Sequence, residues 1–247
     1  MMNDESFFVF IVCIVMVGII IFVIVFVAFL VFQLSKIKSK ALKDCNNNRS
    51  NNVFSNNFER DVYEILQTVG GKVLHNLYIP MGKDETTEID LLYICSKCIV
   101  VFECKDYTGW IFGNENQKYW TQCFPNKEKY KFYNPILQNN THIRNLRKYL
   151  GNSSIPIYNV VVFGDSATFR TDFPITVCHK HNVKVVMDKL IRETSYYMDY
   201  CHCEQIYEKL KLCCNVTEEI KLRHVKSVQK YHLEGDSGEQ CQERVSL

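Results

Sequence analysis

Asp90, Glu103 and Lys105 are the residues of this chain whose types and spacing could support hydrolytic chemistry. Two apolar runs, Ile89 to Ile94 and Cys98 to Lys105, flank Ser96-Lys97 and read as paired strands. If Ser96-Lys97 is a two-residue turn, Cys95 pairs with Cys98. Asp90 then lies opposite Glu103 with both side chains on one face. Carboxylates held about 5 Å apart repel one another unless a cation sits between them. Lys105, two residues past Glu103, projects from the same side. Oxygen ligands from Asp90 and Glu103, completed by waters and a phosphate, suit Mg²⁺ or Mn²⁺. The reaction class is phosphodiester hydrolysis, with Lys105 positioning water and neutralising developing charge. The residues alone leave a blander arrangement open, in which Glu103 and Lys105 mark a solvated strand edge and Asp90 lies in a loop.

The elements that must position these groups follow from periodicity. Phe58, Val62, Ile65, Leu66 and Val69 recur at helical spacing, and Gly70-Gly71 ends the pattern. Lys72 to Ile79 reads as a strand, and Thr108 to Phe112 with Gln117 to Phe124 as a second hairpin around Gly113-Asn114. Asn134-Pro135 opens a helix that Gly151 closes. Ile155 to Gly164 is apolar on both faces, as a buried parallel strand requires. Val183 to Met187 is expected to be a last strand, followed by one long helix from about Asp188 to Cys213 and an amphipathic stretch over Val216 to Leu233. The expected fold class is α/β, a mixed sheet flanked by helices.

An N-terminal tail (1–6) precedes the run 7–33, which is apolar apart from one glycine and Gln33. As a helix, Phe7 to Phe32 would measure about 39 Å, enough to cross roughly 30 Å of hydrocarbon. Asp4 and Glu5 before it, its length and the lack of a small-residue cleavage site argue against a signal peptide. Lys36, Lys38, Lys40, Lys43 and Arg49 follow the span, whereas the first six residues hold no Lys or Arg. The expectation is a single-pass protein of the cell membrane, N-terminus outside and the folded domain cytoplasmic. Residues 34–54 read as a basic, Asn-rich tether, 55–190 as the domain, 191–233 as C-terminal helices and 234–247 as a polar tail. In a reducing compartment the 12 cysteines are mostly free thiols. Cys95-x-x-Cys98 has zinc-knuckle spacing but no second pair at suitable spacing, so structural zinc is not expected.

The order of motifs resembles a known family. Glu88-Ile89-Asp90-Leu91-Leu92, then Val101-Phe102-Glu103-Cys104-Lys105-Asp106 and Gly109, is similar to the "EID … EvKn … G" signature of the nuclease-related domain (NERD) family. Phe58-Glu59-Arg60 resembles that family's opening helix, and Trp120, Asn134-Pro135 and Gln138 its "W … NPl.Q" segment. The resemblance covers about Ser55 to Phe163 and implies a restriction-endonuclease-like fold of the PD-(D/E)XK type. It further implies that Asp90 and Glu103 are metal carboxylates, Glu59 an additional acidic ligand, Lys105 the catalytic lysine and Gln138 an accessory polar residue. Without the resemblance, Glu59 would simply complement a helix dipole.

Gln138, His142, Asn145 and Tyr149 form a polar stripe that either lines a substrate groove or is solvated. Lys127, Lys129 and Lys131, with Arg144, Arg147 and Lys148, could meet phosphates or form a solvated face that Glu128 dilutes. A formal net charge of +2 excludes a broadly basic nucleic-acid binder. The expected function is a membrane-anchored, metal-dependent nuclease, with DNA ahead of RNA as partner and the bilayer contacted through 7–33. The alternative is a catalytically silent module that holds nucleic acid or protein, and a third is a membrane scaffold.

Overall fold

In a computed structural model, residues 54, 56–82, 85–151, 154–214 and 216–235 are described. The expected span 7–33 lies outside them, and no described helix is long and apolar enough to cross a membrane. The chain divides into Met1–Val53 and Phe54–Leu247, and the second unit carries the elements that follow.

Helix α1 (Asn57–Gln67) starts at Asn56, whose side-chain oxygen accepts the Glu59 N–H at 2.8 Å. The Asn56 amide donates back to Glu59 Oε1 at 2.8 Å, a reciprocal cap that fixes the first turn. Strands β1 (Lys72–Pro80), β2 (Thr86–Ile94) and β3 (Ile99–Lys105) follow as an antiparallel meander. Next come β4 (Gly109–Phe112), β5 (Tyr119–Cys123), β6 (Lys129–Tyr133) and helix α2 (Pro135–Tyr149). The chain continues through β7 (Ile157–Phe163), β8 (Ala167–Phe169), β9 (Val177–His179), α3 (Val183–Glu193), α4 (Tyr200–Lys211) and α5 (Glu218–Gly235).

The main sheet has the order β1-β2-β3-β7-β9, with β3, β7 and β9 parallel. A second sheet has the order β6-β5-β4-β8. On one side of the main sheet, Phe58, Val62 and Leu66 of α1 and Val183, Val186 and Met187 of α3 pack on Leu91, Val100 and Phe102. On the other, Leu146 of α2 and Cys203, Ile206 and Leu210 of α4 pack on Leu92, Ile94 and Val101. The second sheet covers β7 on this α2 side, burying Ile111, Trp120 and Phe132 against Val161 and Phe163. Apolar residues on both faces of β3 and β7 are therefore required.

Two expectations are corrected. Val183 to Met187 is not a strand but the opening of α3: Val183, Val186 and Met187 are buried at helical spacing, and Val185 is 62% exposed. Nor does one helix run from Asp188 to Cys213. It breaks after Glu193, and Asp199 caps a new start by accepting the His202 N–H at 2.8 Å. The intervening strap is held by Met198 N–H donating to the Ser96 carbonyl at 2.7 Å. Strands β6, β8 and β9 are additional to the expected elements.

Asn134 braces the second sheet to α2. Its buried amide donates to the carbonyls of Asn114, Glu115 and Gln117, while its oxygen accepts the Ile136 N–H at 2.9 Å. Asn134→Ala removes a helix cap and these tethers together. A loss of about 2 kcal/mol in a denaturant titration is expected, and an unchanged midpoint would contradict the brace.

Candidate active site

The site lies where β2 and β3 separate. Their ladder pairs Ile94 with Ile99 and Leu91 with Phe102, and the Cys95 N–H donates to the Cys98 carbonyl at 3.0 Å across the turn. One further step along this register sets Asp90 opposite Glu103. In place of a further rung, Asp90 Oδ2 accepts the Cys104 N–H at 2.8 Å. The aspartate is thus tied to the backbone of the neighbouring strand at the point of separation.

A matched irregularity accompanies this. Ile89 packs in the same cluster as Leu92 and Ile94, so the alternation of β2 slips by one near Asp90. On β1, Leu77 likewise joins Leu74, with Asn76 between them at φ 50. Asn76 is the β1 residue that faces Asp90 in the register, and Asn is among the few types that tolerate this left-handed conformation.

Glu103 is only 3% exposed. Lys105 Nζ stands 3.0 Å from its Oε1, and His142 Nε2 of α2 stands 3.4 Å from its Oε2. Thr87 Oγ1 hydrogen-bonds His142 Nδ1 and so orients the ring. Glu59, also buried, reaches the site from α1, on the opposite side of the sheet from α2. Cys104 alternates with Glu103 and Lys105 and lies on the α1 side.

The electrostatics are asymmetric. Burial, then the charges of Glu103 and Glu59, push Asp90 well above the usual carboxylate range, against the Cys104 N–H and Lys105. Burial also works against ionisation of Glu103, but Lys105 and His142 outweigh it and hold that carboxyl below its ordinary value. Burial would lower Lys105, yet Glu103, Tyr107 and Asp90 keep its ammonium charged beyond the ordinary lysine range. The Cys104 thiol is pushed far up, first by burial and then by Asp90 and Glu59.

The hard oxygens of Asp90 and Glu103 fit a divalent cation, and the unrelieved repulsion at Asp90 is what such an ion would cancel. Among the described residues, however, no three His, Cys, Asp or Glu side chains converge closely enough to chelate a metal unaided. Two carboxylates completed by waters and substrate oxygens are a sufficient set for Mg²⁺.

Residues 55–164 match the nuclease-related domain, NERD. An uncharacterized protein of Bacillus anthracis is 29% identical over 140 residues, covering 57% of this chain and 59% of the relative. The match thus spans less than two thirds of that relative's length. No solved structure matches the chain.

Within the matched segment, Asp90 in the middle of β2 lies beside Glu103 and Lys105 at the end of β3. Glu59 adds its charge to Asp90 while its Oε1 is engaged by Asn56. Gln138 lies one turn before His142 on α2, with a buried Oε1 that has no hydrogen-bond partner among the described residues. His142 sits against Glu103, which resolves the polar-stripe alternative in favour of a site-facing residue at this position. Asn139, absent from the sequence reading, is fully buried and donates to the Val101 carbonyl at 2.9 Å and to Asn159 Oδ1 at 2.8 Å, fastening α2 to β3 and β7. Its location in an otherwise polar helical turn was the available signal.

At the far end of the hairpin, Cys95 and Cys98 are free thiols with Sγ atoms 3.8 Å apart. The hydrogen bond from Cys98 outweighs burial and lowers the Cys95 thiol to about 6, while the same bond and burial push Cys98 up. Iodoacetamide at pH 7 is therefore expected to label Cys95 before Cys98, Cys104 or Cys178. Peptide mapping checks this, and equal labelling of the four would contradict it.

Proposed function

We propose that this domain is a divalent-cation-dependent phosphodiesterase acting on nucleic acid, with DNA ahead of RNA. The observation that carries the reading is the half-buried Asp90 beside the buried Glu103, with Lys105 Nζ 3.0 Å from Glu103. A restriction-endonuclease-like assignment of the PD-(D/E)XK type is part of the proposal. It is supported by the mixed sheet, its flanking helices and the nuclease-related match.

Asp90 and Glu103 would hold Mg²⁺ or Mn²⁺, with Glu59 as a further acidic group on the α1 side. When bound, such a cation polarises the phosphate and acidifies a water. Lys105 supplies fixed positive charge toward the phosphate as charge accumulates on its oxygens. His142 holds Glu103 from the second side, and Thr87 fixes the ring that does so. Gln138 offers its buried oxygen as an acceptor for a water or a substrate group. The domain would be held at the cell membrane by residues 7–33, N-terminus outside and the catalytic unit cytoplasmic.

One observation favours a catalytically silent module instead: both Glu103 oxygens already face protein groups, Lys105 and His142. Incubating the full chain with single- and double-stranded DNA and RNA in Mg²⁺, Mn²⁺ or EDTA separates the two. Cation-dependent cleavage is expected. Binding of these substrates without cleavage would reject the enzyme.

A further inference from the structure

The second sheet has an outer face that the cleavage reading does not use. Its inner positions, Ile111, Trp120, Phe132, Ala167 and Phe169, are taken up by the core against β7. Strand alternation therefore turns the intervening residues away from that core. The register brings Trp110, Phe112, Tyr119 and Tyr133 onto one outer surface, since Trp110 pairs with Cys123, Phe112 with Thr121, and Tyr119 with Tyr133. Phe112 is 38% exposed, and Tyr119 and Tyr133 meet edge to face with centroids 6.1 Å apart.

Cations are interleaved with these rings. Lys129 and Lys131 of β6 share the outer face with Tyr133 and are exposed. Exposed Arg170 lies over the Trp110 ring at 4.9 Å, and exposed Lys118 over Tyr119 at 5.2 Å. β4, β5, β6 and β8 contain no acidic residue, although Glu115, Glu128 and Asp172 lie in the adjoining loops. A structural sheet surface in a chain of net charge +2 has no need to exclude every carboxylate from four strands.

We propose that this outer face binds single-stranded nucleic acid, with unpaired bases stacking on Trp110 and Tyr119 and the sugar–phosphate chain running along Lys129, Lys131 and Arg170. Only unpaired bases offer their faces to rings, because those of a duplex are already stacked on each other. Same-face side chains recur about every 6.8 Å along a strand, a stride suited to successive nucleotides of an extended chain. An anionic membrane would be drawn by the same cations but has no ring-shaped surface to stack on four aromatics. The surface is distinct from the carboxylate pair and needs no divalent cation, so it stands whether or not the domain cleaves.

The test uses the full chain in EDTA with a labelled 20-nucleotide oligothymidine, its duplex with oligoadenosine, and phosphatidylserine vesicles. Single strands are expected to bind more tightly than duplex and to quench Trp110, the chain's other tryptophan, Trp120, being fully buried. Trp110→Ala should weaken binding about tenfold. The exposed double variant Lys129→Glu/Lys131→Glu should weaken it at least as much and flatten the log–log salt dependence by about 1.4. Lys184→Glu, an exposed charge reversal on α3 away from both sites, should leave binding unchanged. Duplex bound as tightly as single strand, affinity indifferent to both face variants, loss of binding in Lys184→Glu, or capture by vesicles without capture of the oligonucleotide would each overturn the proposal.

Discussion

Asp90→Asn is expected to abolish cation-dependent cleavage, by at least about a thousandfold, and at the same time to stabilise the cation-free domain by about 1–2 kcal/mol. The two effects share one cause. Ionising Asp90 is opposed by burial and by the neighbouring charges of Glu103 and Glu59. Asparagine keeps an acceptor for the Cys104 N–H, bonded at 2.8 Å, and removes the repulsion. The pH dependence follows with a definite sign. The folded-state pKa of Asp90 lies above its unfolded value, so the native domain binds this proton more tightly. Its contribution to stability is therefore lost as pH rises from the ordinary Asp range through the raised folded value. Urea unfolding in EDTA should show the advantage of Asp90→Asn small near pH 4 and full above the folded value. An aspartate kept for structure alone would give the opposite result, a variant that is less stable at neutral pH.

Lys105→Met is expected to lower stability by about 3 kcal/mol at neutral pH, because it leaves Glu103 buried with its main counter-charge gone. Cleavage should also be lost, yet the thermodynamic signature differs from that of Asp90→Asn. In the native protein Glu103 is held below its ordinary value despite burial, so it stabilises the fold above the ordinary Glu range and ceases to do so as pH falls. With Lys105 removed, burial dominates Glu103 and acidification should recover part of the lost stability. Adding Glu103→Gln to Lys105→Met should restore most of it, since position 103 then carries no charge that has lost its partner. A Lys105→Met variant as stable as the parent would mean that the ion pair is not formed in solution.

These residues differ in how far their placement was legible beforehand. The register of β2 and β3 follows from a two-residue turn and a side-chain period of two, and Leu91 does pair with Phe102 as that arithmetic requires. The limits of α2 follow from Asn134, Pro135 and Gly151, each with a local conformational reason to stand where it does. The exact setting of Asp90 does not follow. Strict alternation puts it face to face with Glu103, whereas it is bonded to the β3 backbone beside a slip shared with Asn76. A long-range backbone irregularity leaves no periodic trace in either strand. The segment Val183 to Met187 is ambiguous in a different way. Three of its five residues are valine, which suits a strand, and only packing against α1 and the main sheet settles it as helix. Strands β8 and β9 have three residues each, too few for any period to emerge.

The proposed activity requires that the carboxylates of Asp90 and Glu103 take up a divalent cation. Titration of the full chain with Mn²⁺, followed by the paramagnetic resonance of the free ion, measures this without any substrate. One ion bound per chain, lost in Asp90→Asn and displaced by Mg²⁺, is the predicted result. Uptake unaffected by Asp90→Asn, or no uptake by a chain that is folded and holds Lys105 against Glu103, would contradict the account.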